Sequence, residues 1–145
     1  MEHGRSARSQ ALQLGGLLFR AHLVARQAAN DAMRDQDVEL RDLGVLDLLV
    51  GGASETQHQI GARLGIDKSA MVRIVDGLER KGLVARRRRT DDRRAYAISI
   101  TEAGRSRMGE AWTRAESAMK RLLGDFSAAE QETLHDLLER LARSA

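Results

Sequence analysis

The 145-residue chain contains no cysteine and no proline, and its aromatic side chains are limited to two Phe, one Tyr and one Trp. Without cysteine there is no disulfide, no thiolate nucleophile and no thiol redox switch. Without proline the commonest helix breaker is missing, so boundaries must be marked by the 13 glycines. With an aromatic share of 3%, Leu, Val, Ile, Met and Ala must fill the core, a filling that favours helices. No apolar run reaches membrane-spanning length, and Met1-Glu2-His3-Gly4-Arg5 is not followed by an apolar signal core; the expectation is a soluble, cytoplasmic protein without membrane partners. A hydrophobic content of 42% supports a core of moderate size, in one domain or one domain plus an assembly arm.

Charge is present but unevenly placed. The formal net charge is only +3, yet residues 63–94 carry 11 Lys or Arg against 5 Asp or Glu, a local +6 that leaves the remainder at −3. Within this stretch residues 86–94 read RRRRTDDRR, six arginines in nine positions. Basic side chains held near phosphates release condensed counterions, a sequence-independent affinity that falls steeply with salt. An arginine run alone is more often a solvated loop, so its neighbours decide.

Those neighbours form an ordered series. Residues 9–34 carry Leu12, Leu14, Leu17, Leu18, Phe19 and Val24 among polar residues and predict a long helix. A second helix fits 39–50, with Leu40, Leu43, Leu46, Leu49 and Val50 at three- and four-residue steps, stopped by Gly51-Gly52. Thr56-Gln57-His58-Gln59 has the form of a capping box, predicting a helix over 57–64 with Ile60 and Leu64 as its buried pair. Gly65-Ile66 then turns the chain, and Asp67 caps a helix over 68–81 with Gly82 after it. There Met71, Ile74, Val75 and Leu78 form the inner stripe, while Lys68, Ser69, Val72, Arg73 and Asp76 lie outward. Two short helices joined by a glycine-containing turn are the helix-turn-helix arrangement, whose second helix enters the DNA major groove. Leu83–Arg87 and Ala95–Ile100 read as two strands, with the arginines and Thr90-Asp91-Asp92 at the hairpin tip. Thr101 caps a helix over 102–122, broken near Gly124, and Ser127-Ala128-Ala129-Glu130 opens a last helix to about 142. The fold class expected is mainly α with a small antiparallel β-hairpin, a winged helix-turn-helix.

Residues 66–104, IDKSAMVRIVDGLERKGLVARRRRTDDRRAYAISITEAG, resemble the signature of MarR-type regulators, the multiple antibiotic resistance regulator family. The matching positions are the Asp67 cap, Leu78-Glu79, Gly82-Leu83-Val84, Asp92-Arg93-Arg94 and Ile100-Thr101-Glu102-Ala103-Gly104. The resemblance extends along nearly the whole chain, because the family places two helices before this stretch and two after it. It implies a ligand-responsive homodimeric repressor on a pseudo-palindromic operator. Its N- and C-terminal helices would interlock as dimerisation helices, leaving 1–36 and 102–145 as assembly elements and 37–101 as the DNA-binding region. The last helix agrees, since its stripe of Leu134, Leu137, Leu138 and Leu141 needs cover from the first helix or from a second subunit.

Site residues follow. Ser69 and Arg73 are the candidates for base edges, Arg73 because a guanidinium bonds guanine in bidentate fashion, with pairing to Asp76 or Asp67 as the duller alternative. Thr56 and Lys68, at helix N-termini, are candidates for phosphate. Arg86, Arg88, Arg89 and Arg93 complete the expected DNA-binding set, with Arg88, Arg89 or Arg93 entering a narrow minor groove. The resemblance further implies that Asp92 and Arg94 form an ion pair that stabilises the wing. This chain departs from many relatives in placing consecutive arginines where Pro or Asn often stands.

The resemblance also implies a small aromatic or phenolic effector, for which Phe19, His22, Arg26, Arg41 and Trp112 are candidate lining residues; no other cofactor is expected. Catalysis is not expected: His3, His22, His58 and His135 sit on separate elements without metal-ligand spacing, and no glycine-rich phosphate loop follows a strand. The competing reading is a winged helix used as a protein-interaction or assembly module, which requires an acidic or apolar recognition face.

Overall fold

In the computed structural model, residues 9–51 and 55–144 are described, and among them are six α-helices and a three-stranded antiparallel sheet. Gly52, half of the expected glycine stop, lies outside the described residues, as do the first eight residues of the expected N-terminal dimerisation element.

Helix α1 (Gln10–Ala32) starts at Ser9, whose side chain accepts from the Leu12 N–H. A 3-10 turn at Arg34–Gln36 follows, ending at Asp37 in the left-handed region at φ 53°. Helix α2 (Leu40–Val50) opens with a reciprocal cap that the sequence pattern did not mark: Glu39 and Asp42 each accept from the other's backbone N–H. Burial holds the Asp42 carboxyl above its ordinary pKa, against the Glu39 N–H bond and the charge of Lys81, which favour ionisation. Strand β1 (Glu55–Thr56) is the other element without a sequence signal. It pairs with β3 through Glu55↔Ile98 and Thr56↔Ala97, turning the expected hairpin into a three-stranded sheet.

Helices α3 (Gln57–Leu64) and α4 (Lys68–Arg80) begin where the capping pattern places them, with the Thr56–Gln59 box and the Asp67 cap on Ala70 both formed. Gly65 between them sits at φ 65°, a conformation glycine adopts without steric cost. Gly61 answers a different need: a Cβ there would lie 3.0 Å from Met71 Cγ and 3.1 Å from the Ile66 carbonyl oxygen, so any side chain would have to push these neighbours back by a few tenths of an ångström. Ile60 is fully buried, whereas Leu64 is only half-buried and packs at the margin of the core.

Strands β2 (Val84–Arg88) and β3 (Tyr96–Ile100) pair in the register Arg86↔Ile98. Thr101 then fastens helix α5 (Glu102–Leu122) to the strand entrance: its N–H donates to the Leu83 carbonyl, and its hydroxyl donates to the Gly82 carbonyl at 2.6 Å and accepts from the Gly104 N–H at 3.0 Å. Helix α6 (Ala128–Ala142) opens on the Ser127–Glu130 capping box.

One core joins these elements: Leu43, Leu46 and Leu49 from α2, Ile60 from α3, Met71, Val75 and Leu78 from α4, Leu83, Val84 and Ile98 from the sheet region. Ala111, Ala115 and Ala118 are buried along one stripe of α5, where small side chains let it lie close to α1. The segment after α1 is a joint. The Asn30 side chain accepts from the Leu40 N–H, Arg107 on α5 donates to the Gln36 carbonyl at 2.7 Å, and Lys81 at the end of α4 donates to the adjacent Asp37 carbonyl. Arg114 adds an ion pair with Asp35 at 2.7 Å.

Among the described residues, the first half of α1 and all of α6 remain largely uncovered. Leu12, Leu17 and Phe19 on α1, and Leu137 and Leu141 on α6, each keep more than half of their surface exposed. The α6 stripe therefore does not pack on the described part of the first helix.

Candidate nucleic-acid interface

The outward face of α4 begins at its cap. Asp67 is occupied by the Ala70 N–H at 2.9 Å, and behind it Lys68, Ser69, Val72 and Arg73 are exposed on neighbouring turns. Both acids that could have neutralised Arg73 are engaged elsewhere, Asp67 in the cap and Asp76 with Arg86. Arg73 thus presents a free guanidinium on the outward face of α4. Lys68 borders an apolar hollow between the two helices, lined also by His58, Ala62, Ile66 and Met71. The Thr56 hydroxyl accepts from the Gln59 N–H at 3.2 Å and is spent on the cap.

Arg86, expected among the DNA contacts, points inward. It donates to Asp76 Oδ1 at 2.5 Å, Glu79 Oε2 at 2.6 Å and Gln57 Oε1 at 3.3 Å. Its partners lie 29, 10 and 7 residues away along the chain, so no local sequence pattern reports them.

At the wing the arginines divide. Arg88 donates from Nε to the Tyr96 hydroxyl at 3.2 Å, with its guanidinium carbon 5.8 Å from the ring centroid, a cross-strand pair that orders an otherwise flexible side chain. Arg89 is held by Asp91 within the wing, which raises the Arg89 pKa and lowers that of Asp91. The expected Asp92–Arg94 ion pair is replaced by a backbone link: Asp92 Oδ1 accepts from the Arg94 N–H at 2.9 Å. The reason is local, because an Asp side chain reaches the N–H two residues on without ordering a long guanidinium. Arg87, Arg93 and Arg94 are exposed, and Arg87 and Arg94 were absent from the expected DNA set.

The expected effector residues are dispersed. Phe19, His22 and Arg26 share one exposed stripe of α1, Phe19 being 65% exposed, and Trp112 on α5 is 41% exposed. Arg41 pairs with Glu39 at 3.1 Å and lines a polar cavity of about 490 Å³ between the end of α1, the start of α2 and α4. That cavity also takes in Arg73, Asp42 and Lys81, and none of the other four candidates.

Among the described residues no helix is long and apolar enough to cross a membrane, and no group of three or more His, Asp and Glu side chains is placed to hold a metal ion.

Known proteins share this arrangement. Residues 36–95 match the MarR family. The chain is 34% identical over 140 residues to a Thauera aromatica protein assigned as the transcriptional regulatory protein for the hcr operon, covering 93% of this chain and 82% of that one. Among solved structures it resembles a MarR-family transcriptional regulator from Rhodococcus sp. RHA1, at 28% identity and TM-score 0.81 over 96% of this chain and 99% of the other. It also resembles CouR from Rhodococcus jostii RHA1 bound to p-coumaroyl-CoA, at 33% identity and TM-score 0.72 over 92% and 96% of the two chains. The helix-turn-helix with its basic wing, the uncovered terminal helices and these relatives agree: the chain belongs to the MarR family and is a DNA-binding transcriptional regulator.

Proposed function

We propose that the protein is a homodimeric, effector-responsive repressor that reads a two-fold symmetric operator. Residues 37–101 form the reading unit, and 1–36 with 102–145 form the dimer. Arg73 and Ser69 address base edges, Lys68 addresses phosphate, and the wing enters the minor groove. The observation that carries this reading is the unpaired, exposed Arg73 beside Lys68 and Ser69 on α4. An assembly module would need an acidic or apolar face at that place. The test is a mobility-shift assay on the promoter region of the protein's own gene with a salt titration. Absence of a discrete shift at low salt sinks the reading.

Dimerisation supplies the geometry. Two recognition helices about 34–36 Å apart meet successive major-groove faces on one side of the duplex. Converting Leu137 and Leu141 to Lys is expected to yield a monomer by sedimentation and to abolish operator binding at concentrations where the parent binds. A dimer that persists with both lysines in place would mean that α6 is not the interface.

Within the wing, Arg88 and Arg93 are free of carboxylates whereas Arg89 is already neutralised by Asp91. Changing Arg88 and Arg93 to Gln is expected to weaken binding across sequences and to flatten the log–log salt slope by about one per lost phosphate contact. Arg89→Gln is expected to change it less. Equal effects at all three positions would show that the Asp91 pair does not restrain Arg89.

For the effector we propose an anionic aryl compound bound where the stripe of Phe19, His22 and Arg26 meets partner helices, with Trp112 beside it. CouR, a relative at 33% identity, holds p-coumaroyl-CoA, an aryl ligand with anionic groups. Titrating the DNA-bound protein with salicylate-like acids and with p-coumaroyl-CoA tests this; neither release from DNA nor a thermal shift with either compound refutes it.

A further inference from the structure

Four arginines run consecutively from Arg86 to Arg89, and a chain of basic residues beside a recognition helix reads as four DNA contacts. The structure separates the first from the rest. Arg86 keeps 24% of its side chain exposed and spends its donors on the fold: both helix-turn-helix elements and β2 meet at its guanidinium. Asp76 and Glu79 stand three residues apart on one face of α4, and Gln57 is the first residue of α3. One planar fork therefore ties the recognition helix, the helix before it and the wing strand together. Arginine spreads its donors over a planar fork that reaches two carboxylates and an amide at once, whereas the three donors of lysine radiate from a single nitrogen.

The charges matter as much as the geometry. Asp76 and Glu79 are acids on a helix that must approach phosphates, and Arg86 offsets them where they stand. Burial works against the guanidinium's charge, but the two carboxylates outweigh it and raise its pKa.

Building on the DNA-reading function above, we propose that Arg86 is a positioning residue: it sets the angle of α4 against α3 and the wing, so that base discrimination depends on it without its touching DNA.

The experiment compares the wild type with Arg86→Met, Arg86→Lys and the double variant Asp76→Asn/Glu79→Gln. The probes are a duplex enriched by the wild-type protein from a randomised pool and an unrelated duplex of equal length, with folding followed by circular dichroism. Two quantities are read: the ratio of affinities for the two duplexes, and the salt slope on the unrelated one. A purely stabilising role moves neither in folded protein. Positioning predicts a fall in the ratio of about tenfold for Arg86→Met, with the slope unchanged. It predicts a partial recovery for Arg86→Lys, and a similar fall for the double variant although that variant gains positive charge. A direct phosphate contact predicts instead a slope lowered by about one for each subunit in Arg86→Met at constant ratio, full recovery with Lys, and tighter binding of both duplexes by the double variant. That pattern overturns the proposal. If Arg86→Met does not fold, the double variant, which retains the arginine, decides alone, and an unchanged ratio there is fatal. Failure of the wild type to enrich any duplex is a different result: it removes the DNA-reading function itself, and this inference with it.

Discussion

Replacing Arg73 by Ala is expected to cause the largest loss of operator affinity of any single change on α4. A bidentate guanidinium–guanine contact is worth about 1–3 kcal/mol of discrimination in each half-site, and a symmetric dimer loses two of them. The combined effect on a palindromic site is from about thirty-fold to beyond ten-thousand-fold. Two features make Arg73 available for this contact: its exposure, and the engagement of Asp67 and Asp76 with other partners. Because the loss concerns base edges, affinity for unrelated DNA should change little, by no more than one phosphate's share of the salt slope per subunit. Quantitative mobility shifts on both DNAs check this, and operator affinity within about threefold of the parent would exclude Arg73 from base reading.

Gly104→Ala is expected to be the most damaging conservative change for stability. A Cβ on Gly104 would lie 2.1 Å from the Leu83 carbonyl oxygen, 2.8 Å from Ile100 Cγ1 and 3.1 Å from the Leu83 carbonyl carbon. Two of these three atoms are backbone, and the same carbonyl accepts the Thr101 N–H, so neither side yields without moving α5 off the strand entrance. Overpacking of this kind costs about 3 kcal/mol or more, a fall in Tm of about 10 °C at fixed protein concentration. Gly77→Ala is the internal control. It sits in α4 with no atom within 4 Å of the added Cβ, and should be neutral or stabilise by up to about 1 kcal/mol. Similar melting curves for the two variants would show that the start of α5 can shift without penalty.

The helix-turn-helix was legible because its signals are local: the Thr56–Gln59 box, the Asp67 cap, Gly65, and the inner stripe from Met71 to Leu78 each lie within a few residues of what they govern. The Ser127–Glu130 box was legible for the same reason. Strand β1 was not, since two residues cannot display an alternation and it exists only through its pairing with β3. The Glu39–Asp42 cap was missed because Glu is an uncommon N-cap residue. Membership of the arginine run was plain from sequence, but the separate tasks of Arg86, Arg88 and Arg89 were not. Each is set by a partner across a strand, a helix or a turn. The five candidate effector residues are the least legible set: the fold disperses them, with only Arg41 lining a cavity, and no local periodicity reports which surfaces will meet.

The joint after α1 has a consequence for how the protein tolerates its surroundings. Arg107 and Lys81 reach it through two successive main-chain carbonyls, Gln36 and Asp37, which no proton titrates away in the range where the protein folds. On the acceptor side, the links from α5 and from the end of α4 to the turn after α1 are therefore insensitive to acid, in a way that a joint built only from carboxylates would not be. Acidification leaves these elements tied together at the two bonds.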